Sequence, residues 1–264
     1  RLRRAWDHGR GVATRRPYSY FQYGVRDFGA RIEQALTTQR PDLVHLDSLD
    51  LYRWLPRFGG LPVTCTHHDI ESHALRRRAE ATRSPLVSGY IRRQSELMRA
   101  VEAKWCPAVA LNWTVSPEDS GRLKEIAPQA VILEAPNAVD LEDFRPSKDT
   151  SAAEDSVVFA GATYLFANRD AVNFLLEEIW PKVRDRVPRA TLKLLGRNAP
   201  GEADRFRRVA GVLPLGNVPR VQPDLGSAAC SVIPIRTGGG TRLKILESWA
   251  LGRAVVTTTL GCEG

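Results

Sequence analysis

An α/β fold of two Rossmann-like, parallel-sheet domains is what the sequence predicts, on three observations. Short apolar runs of strand length alternate with segments of helical period along the whole chain, the pattern of parallel sheets wrapped in helices. Glycines and polar residues stand where those runs end, at His68, Asn137, Gly161, Gly196, Gly216 and Gly238-Gly239-Gly240, and parallel sheets bind ligands at the C-terminal ends of their strands. The polar stretch 145–155, RPSKDTSAAED, reads as a linker after which the pattern restarts. The expected organisation is therefore a domain over 1–144, a linker over 145–155 and a domain over 156–264, with the two sheets facing each other across a cleft.

The elements follow in order. Residues 1–22 are basic and aromatic and receive no stable element. Phe28, Ile32 and Leu36 are spaced for a helix from about Tyr23 to Thr38, stopped by Arg40-Pro41-Asp42. Leu43 to Leu46 is a short buried strand, and a helix-like segment runs on to Phe58, broken by Gly59-Gly60. Leu61 to Thr66 is the next strand and ends at His67-His68-Asp69-Ile70-Glu71-Ser72. A long helical region covers Pro85 to Val109. Trp113 to Ser116 is a strand, and Ser116-Pro117-Glu118-Asp119 opens a helix: serine caps, proline fits the first turn and the acids suit the positive end. Val131 to Leu133 is a strand.

In the second half, Ser156 to Gly161 is a strand. Asn168 to Arg186 is one helix with Phe174, Leu175, Ile179 and Val183 on a face. Thr191 to Leu195, Val212 to Leu215, Ser227 to Ile235 and Ala254 to Thr257 are strands.

Composition bounds the function. The chain of 264 residues has no apolar run of the roughly 18 residues that a bilayer span needs, and no signal peptide opens it. Its net charge of +8 is carried mostly by arginine, in clusters at Arg1–Arg4, Arg15-Arg16, Arg76–Arg78 and Arg92-Arg93. Two readings of the clusters stay open: an anionic membrane surface or acidic substrate, or a solvated face paired with the interspersed acids. No zinc-finger spacing and no RNA-binding signature accompanies them, so nucleic acid is not an expected partner. Cys65, Cys106, Cys230 and Cys262 lack metal-ligand spacing and several lie in apolar runs, as buried thiols do in a reducing compartment such as the cytoplasm.

One stretch concentrates chemistry: Ile235 to Glu247, IRTGGGTRLKILE. A buried strand leads into three glycines, and a helix running to about Leu251 follows, with Thr241 as its expected cap. Strand, glycine turn and helix N-terminus together make an anion site. Lys244 and Glu247, three apart, share a helix face, with Arg242 nearby. Cations beside bare N–H groups suit a diphosphate, and a carboxylate one turn on suits sugar hydroxyls. Glu247 is expected to be sheltered, because Leu246 and Trp249 beside it are apolar. A glycine-rich connection before a solvated helix is the other reading of the same residues.

The order of the motifs resembles glycosyltransferase family 4. Phe159-Ala160-Gly161, Asn168 to Ala171, Leu195-Gly196-Arg197 and Val212 to Val218 are similar to its C-terminal half in order and spacing. Gly238 to Glu247 with Gly252 to Gly264 resembles the subgroup reading G-G-G-T-R-L-K-I-L-E and then G-x-x-V-V-x-T-x-x-G-x-E-G. In the first half, His68 to Ser72 resembles H-N-x-E-S, Val115 to Asp119 resembles V-S-x-x-D, and Pro136 to Asp140 with Phe144 and Pro146 resembles P-N-G-V-D and F-x-P.

The resemblance implies a GT-B fold and a retaining, metal-independent transfer of a sugar from a nucleotide-diphosphate sugar to a glycan or lipid-linked acceptor. No cofactor is implied beyond that donor. The implied roles are these: His68 faces the donor sugar; Arg242 and Lys244, with the backbone of Gly239, Gly240 and Thr241, hold the diphosphate; Glu247 bonds the ribose; Gly196, Arg197 and Asn217 lie near the base; Gly161 lets the backbone pass close. The first half would take the acceptor. The setting implied is polysaccharide biosynthesis, cytoplasmic or peripheral on the inner membrane surface.

Two departures stand out. Gly239 occupies the place of a glutamate that many members carry eight positions before the match to Glu247, and the loop 162–169 has Arg169 as its sole basic residue where many members have a pair. Members also usually extend beyond both ends of this chain, so both domains are expected to be incomplete. A sugar-nucleotide epimerase or phosphorylase of similar fold, or a non-catalytic chain, remains as an alternative. No G-x-G-x-x-G follows an early strand and no Gly-Lys-Ser/Thr follows the glycines, which argues against a dinucleotide oxidoreductase and a P-loop NTPase.

Overall fold

The computed structural model describes residues 2–146 and 153–264, and within these the chain divides into two compact units. The first covers the chain to Pro136 together with Gly239–Thr241 and Gly264, and the second holds Asn137–Gly238 and Arg242–Glu263. The division falls earlier than the expected domain end at residue 144, because the segment from Asn137 belongs with the second unit. Phe144, for example, packs on the cluster of Val158, Leu195, Leu225 and Leu251. Most of the expected linker, 147–152, lies outside the described residues, and the end of that stretch is already strand.

The first unit runs α1 (Leu2–Thr14), α2 (Ser19–Gln22), α3 (Phe28–Gln39), β1 (Val44–Leu46), a 3₁₀ segment (Leu49–Phe58), β2 (Val63–His67), α4 (Glu71–Glu80), α5 (Pro85–Trp105), β3 (Leu111–Thr114), α6 (Pro117–Ile126) and β4 (Ile132–Glu134). The strands form one parallel sheet in order β1-β2-β3-β4, with Val44 opposite Val63, Cys65 opposite Asn112 and Thr114 opposite Glu134. Three helices lie where no element was expected. In α1 and α2, glycines at 9 and 11 and a run of arginines hide the period. In α4, ESHALRRRAE buries Ser72, Leu75 and Ala79, a stripe too small to read. The legible helix is α5. Pro85 opens it, and Ile91, Gln94, Ser95, Met98, Val101 and Glu102 recur on its buried face.

The second unit runs β5 (Ala153–Ala160), α7 (Phe166–Phe174), α8 (Trp180–Arg186), β6 (Thr191–Leu195), α9 (Glu202–Arg207), β7 (Val212–Gly216), α10 (Gln222–Ser227), β8 (Ala228–Ile233), α11 (Leu243–Ala250) and β9 (Ala254–Thr257). Its five strands are parallel in order β7-β6-β5-β8-β9. The chain builds outward from β5 on one side, then crosses back to β8 on the other. The reversal opens a crevice at the C-terminal ends of β5 and β8, where such sheets take ligands. The predicted single helix over 168–186 is α7 and α8 joined by a π turn, Leu175–Ile179. Pro181 explains it: it has no N–H for the helical ladder and its ring crowds the preceding turn, so the ladder widens there. The short helices α9 and α10 were not predicted.

Candidate functional site

Where β5 and β6 end, backbone meets backbone. Gly161 N–H donates to Leu195 O (2.8 Å), and Gly196 N–H donates to Gly216 O (2.7 Å). Gly196 has φ +116, and a Cβ there would stand 2.6 Å from the carbonyl of Gly161, so nothing larger fits. A Cβ on Gly161 would in turn strike the Asn168 amide at 2.9 Å. Gly161, Gly196 and Asn168 therefore form one tight floor.

Lys244 reaches that floor from α11. Its Nζ donates to Asn168 Oδ1 (3.0 Å) and lies 4.8 Å from the Phe159 ring centroid. Asn168 is held for this by its own amide, which donates to Ala162 O (3.1 Å). Burial, then the Arg242 charge, pushes the Lys244 ammonium down to about 8, with Glu247 acting the other way. Glu247, half-buried, has its carboxyl raised by burial and lowered by Lys244. Its shelter does not come from Trp249, which is 62% exposed. The helix that carries both residues is pinned by Ile245 in the core and by Ser248, whose hydroxyl meets Ser231 Oγ on β8 at 2.7 Å.

The turn before α11 uses left-handed backbone at Gly238 (φ +108) and Gly240 (φ +72). Thr241 is not the cap: α11 starts at Leu243, with Arg242 at the cap position and no side-chain cap bond. The first turn is closed by Ile245 N–H to Arg242 O (2.8 Å). Without a capping side chain, the leading N–H groups of this helix are those that an anion would satisfy.

The other expected residues fall around these. Arg197 follows β6 and Asn217 follows β7, both exposed. Arg169, the lone basic residue of the 162–169 loop, is occupied: its Nε donates to Thr163 O (3.0 Å) and pairs with Glu202 (3.2 Å). Arg236, inside the glycine stretch, forks onto Asp170 (3.1 and 2.9 Å) and stacks on Phe174 at 4.2 Å. The sequence shows Asn168 only within a motif; its contact is with a partner 76 residues away.

In the first unit the adjacent histidines separate. His67 is buried, with Nε2 2.9 Å from Asn112 Oδ1, and burial lowers its basicity. His68 is exposed, with Nε2 3.0 Å from Asp47 Oδ1. Behind them, Asp50, Asp69, Glu71 and Glu102 line a small cavity of about 40 Å³. Burial and mutual repulsion raise Glu71 to about 8, and burial raises Glu102 to about 7. Among the described residues no group of three or more His, Cys, Asp or Glu could hold a metal ion, and no helix is long and apolar enough to cross a membrane. Cys65 and Cys106 are fully buried, as expected of structural thiols, while Cys262 is exposed.

Residues 154–264 match the family model described as Glycosyl transferases group 1. No curated protein matches the sequence. Solved glycosyltransferases share the fold across both units. Sucrose-phosphate synthase from Thermosynechococcus elongatus aligns at TM-score 0.68 and 16% identity, covering 89% of this chain and 60% of that one. Anabaena HepE in complex with UDP and glucose aligns at 0.65 and 15%, covering 89% and 63%. The pneumococcal O-GlcNAc transferase GtfA in complex with UDP and GlcNAc aligns at 0.62 and 12%, covering 87% and 44%. The chain thus spans about 60% of the length of the first two. At these identities the likeness carries the fold, two parallel α/β units as in GT-B glycosyltransferases.

Proposed function

We propose that the protein is a retaining glycosyltransferase that moves a sugar from a nucleotide-diphosphate sugar to a glycan or lipid-linked acceptor. The observation that carries this reading is Lys244 at the uncapped start of α11, poised on Asn168 beside Gly161 and the glycine turn. The family match of residues 154–264 supports a donor site in this unit. HepE and GtfA, of the same fold, were solved with UDP and a sugar.

The chemistry follows from charge. As the bond between the sugar and the diphosphate breaks, negative charge gathers on the departing phosphate. Lys244 and Arg242, with the N–H groups that lead into α11, stabilise that charge more in the transition state than in the bound donor, which is what accelerates the reaction. Two protein cations and a helix terminus suffice for this, so the transfer is metal-independent. Glu247 accepts from the ribose hydroxyls; Gly196, Arg197 and Asn217 border the base. Gly161, Gly239, Gly240 and Thr241 leave room for the phosphates. The first unit supplies the acceptor side, with His68 facing the reacting sugar. The leaving phosphate takes the acceptor proton, and the anomeric configuration is retained. The setting is synthesis of a polysaccharide, in the cytoplasm or peripheral on the inner membrane surface.

Calorimetry with a panel of nucleoside diphosphates and their sugars tests the donor site. One member should bind saturably, and Lys244→Ala or Glu247→Ala should weaken it roughly 10- to 100-fold, as loss of one charge-assisted contact does. Binding of none, or binding indifferent to both changes, would sink the assignment. Nucleotide release that requires an acceptor identifies a transferase; turnover without one identifies the epimerase or phosphorylase class; binding without turnover identifies a non-catalytic chain.

A further inference from the structure

One arginine cluster of the sequence is explained neither by the donor site nor by a salt-bridged face. Two others lie on salt-bridged faces: Arg76 pairs with Glu80 (3.3 Å) and Arg93 with Glu96 (2.8 Å). Arg15-Arg16 behaves differently. It sits in the first unit on two adjoining hollows, of about 520 and 410 Å³, that share Arg16, Tyr20 and Arg53. Arg10 completes the cationic lining of the first hollow, and Arg15 and Lys104 that of the second, while no carboxylate lines either.

The cations are held in place by aromatic rings. Arg16 and Arg53 stand over the same ring, Tyr20, at 4.3 and 4.4 Å from its centroid. Arg53 is fixed further, by donating from Nη1 to Tyr20 O (2.6 Å). Arg10 lies over Phe21 at 4.6 Å, and Lys104 over Trp105 at 4.9 Å. A guanidinium stacked on a ring keeps its N–H edge free for a second partner, and its planar fork matches two oxygens of a phosphate. Two such forks on one ring, with no acid between them, repel each other until an anion is shared.

We propose that this trough binds a phosphate-bearing organic ligand, with Arg16 and Arg53 gripping the phosphate. Two features select that chemistry over a bare inorganic ion. The hollows are far larger than a phosphate, and their walls carry Phe21, Tyr52 and Trp105 with Pro17, Pro56 and Leu97, surfaces that suit an attached apolar or ring-shaped group. The phosphate belongs either to a small soluble ester or to a lipid headgroup.

The test uses the chain with Lys244→Ala, so that the donor site does not compete for the probe. Phenyl phosphate and glucose 6-phosphate are titrated while the backbone resonances of residues 16–22 and 53 are followed. Sedimentation with vesicles of phosphatidylcholine alone, and of phosphatidylcholine with phosphatidic acid, provides the lipid arm. Saturable shifts with a soluble ester, weakened at least tenfold by Arg16→Gln and unchanged by Arg83→Gln, support the trough as a site for a soluble ligand. Binding confined to phosphatidic acid vesicles, with the same dependence on Arg16, supports it as a headgroup site. Absence of both, or binding that Arg16→Gln leaves intact, overturns the proposal. The donor reading survives that failure, because its own test is run on the chain with Lys244 in place.

Discussion

At the scale of residues, Lys244 shows how burial shifts a charge. Held at about 8 by burial and by Arg242, it is protonated below that value and neutral above it. The proposed diphosphate grip then has a pH dependence of definite sign: affinity for a nucleoside diphosphate should be level near pH 7 and fall as pH rises beyond about 8, by up to about tenfold per unit. Arginine does not lose its proton in this range, so Lys244→Arg should flatten the fall even if it binds less tightly at pH 7. Calorimetry between pH 7 and 9.5 reads this directly, and an identical slope in the two proteins would remove Lys244 from the site. Asn168 matters for the same reason. It orients the ammonium from below, and the sequence offers nothing that ties residue 168 to residue 244.

Elements were legible where their signals are local. Ser116 is an instance. Its Oγ accepts from Asp119 N–H (3.1 Å) and donates to Asp119 Oδ2 (3.0 Å), and Arg122 closes on Asp119 Oδ1 (3.0 Å). The cap is legible from Ser-Pro-Glu-Asp alone, because it is complete within seven residues. Ser116→Ala should cost about 1–2 kcal/mol; chemical denaturation would show a lower midpoint with an unchanged slope. A midpoint equal to the parent's would mean that Asp119 and Pro117 suffice to start α6. The cap at α11 failed for the complementary reason. Threonine at 241 fits the pattern, but the glycine turn carries left-handed φ values to Gly240, and the helix begins two residues after Thr241. The helix that splits at the π turn had its signal in Pro181, although the apolar period ran straight through.

At the scale of the whole molecule each unit has its own core, and that of the first encloses acids. Glu71 and Glu102 keep their protons to about pH 8 and 7, while in the unfolded chain they ionise near 4.5. A raised carboxylate favours the folded state below its unfolded value, and that contribution is lost as pH rises through the folded one. The first unit should therefore be most stable on the acid side and lose stability between about pH 4.5 and 8. Glu102→Gln keeps an oxygen for Ser72 N–H, which Glu102 Oε1 now accepts at 2.9 Å, and removes the ionisation. Thermal melts at pH 5.5 and 8 should show a smaller loss in the variant, a difference of a few degrees, on the order of 2–4 °C per kcal/mol for a chain of this size. Equal losses would place the pH dependence elsewhere.

The sequence by itself determined the alternation of strands and helices, the parallel class, the α6 cap and the glycine turn that leads into α11. Each is written in contacts within about one helical turn or one strand, where residue type decides geometry. Only the tertiary structure decided that His67 goes inward to Asn112 while His68 goes outward. It alone took Arg169 and Arg236 out of service on Glu202 and Asp170, and set Lys244 on Asn168. Those pairings depend on strand order. The reversal between β5 and β8 brings chain segments 76 residues apart to one crevice, and no local pattern records which strands become neighbours.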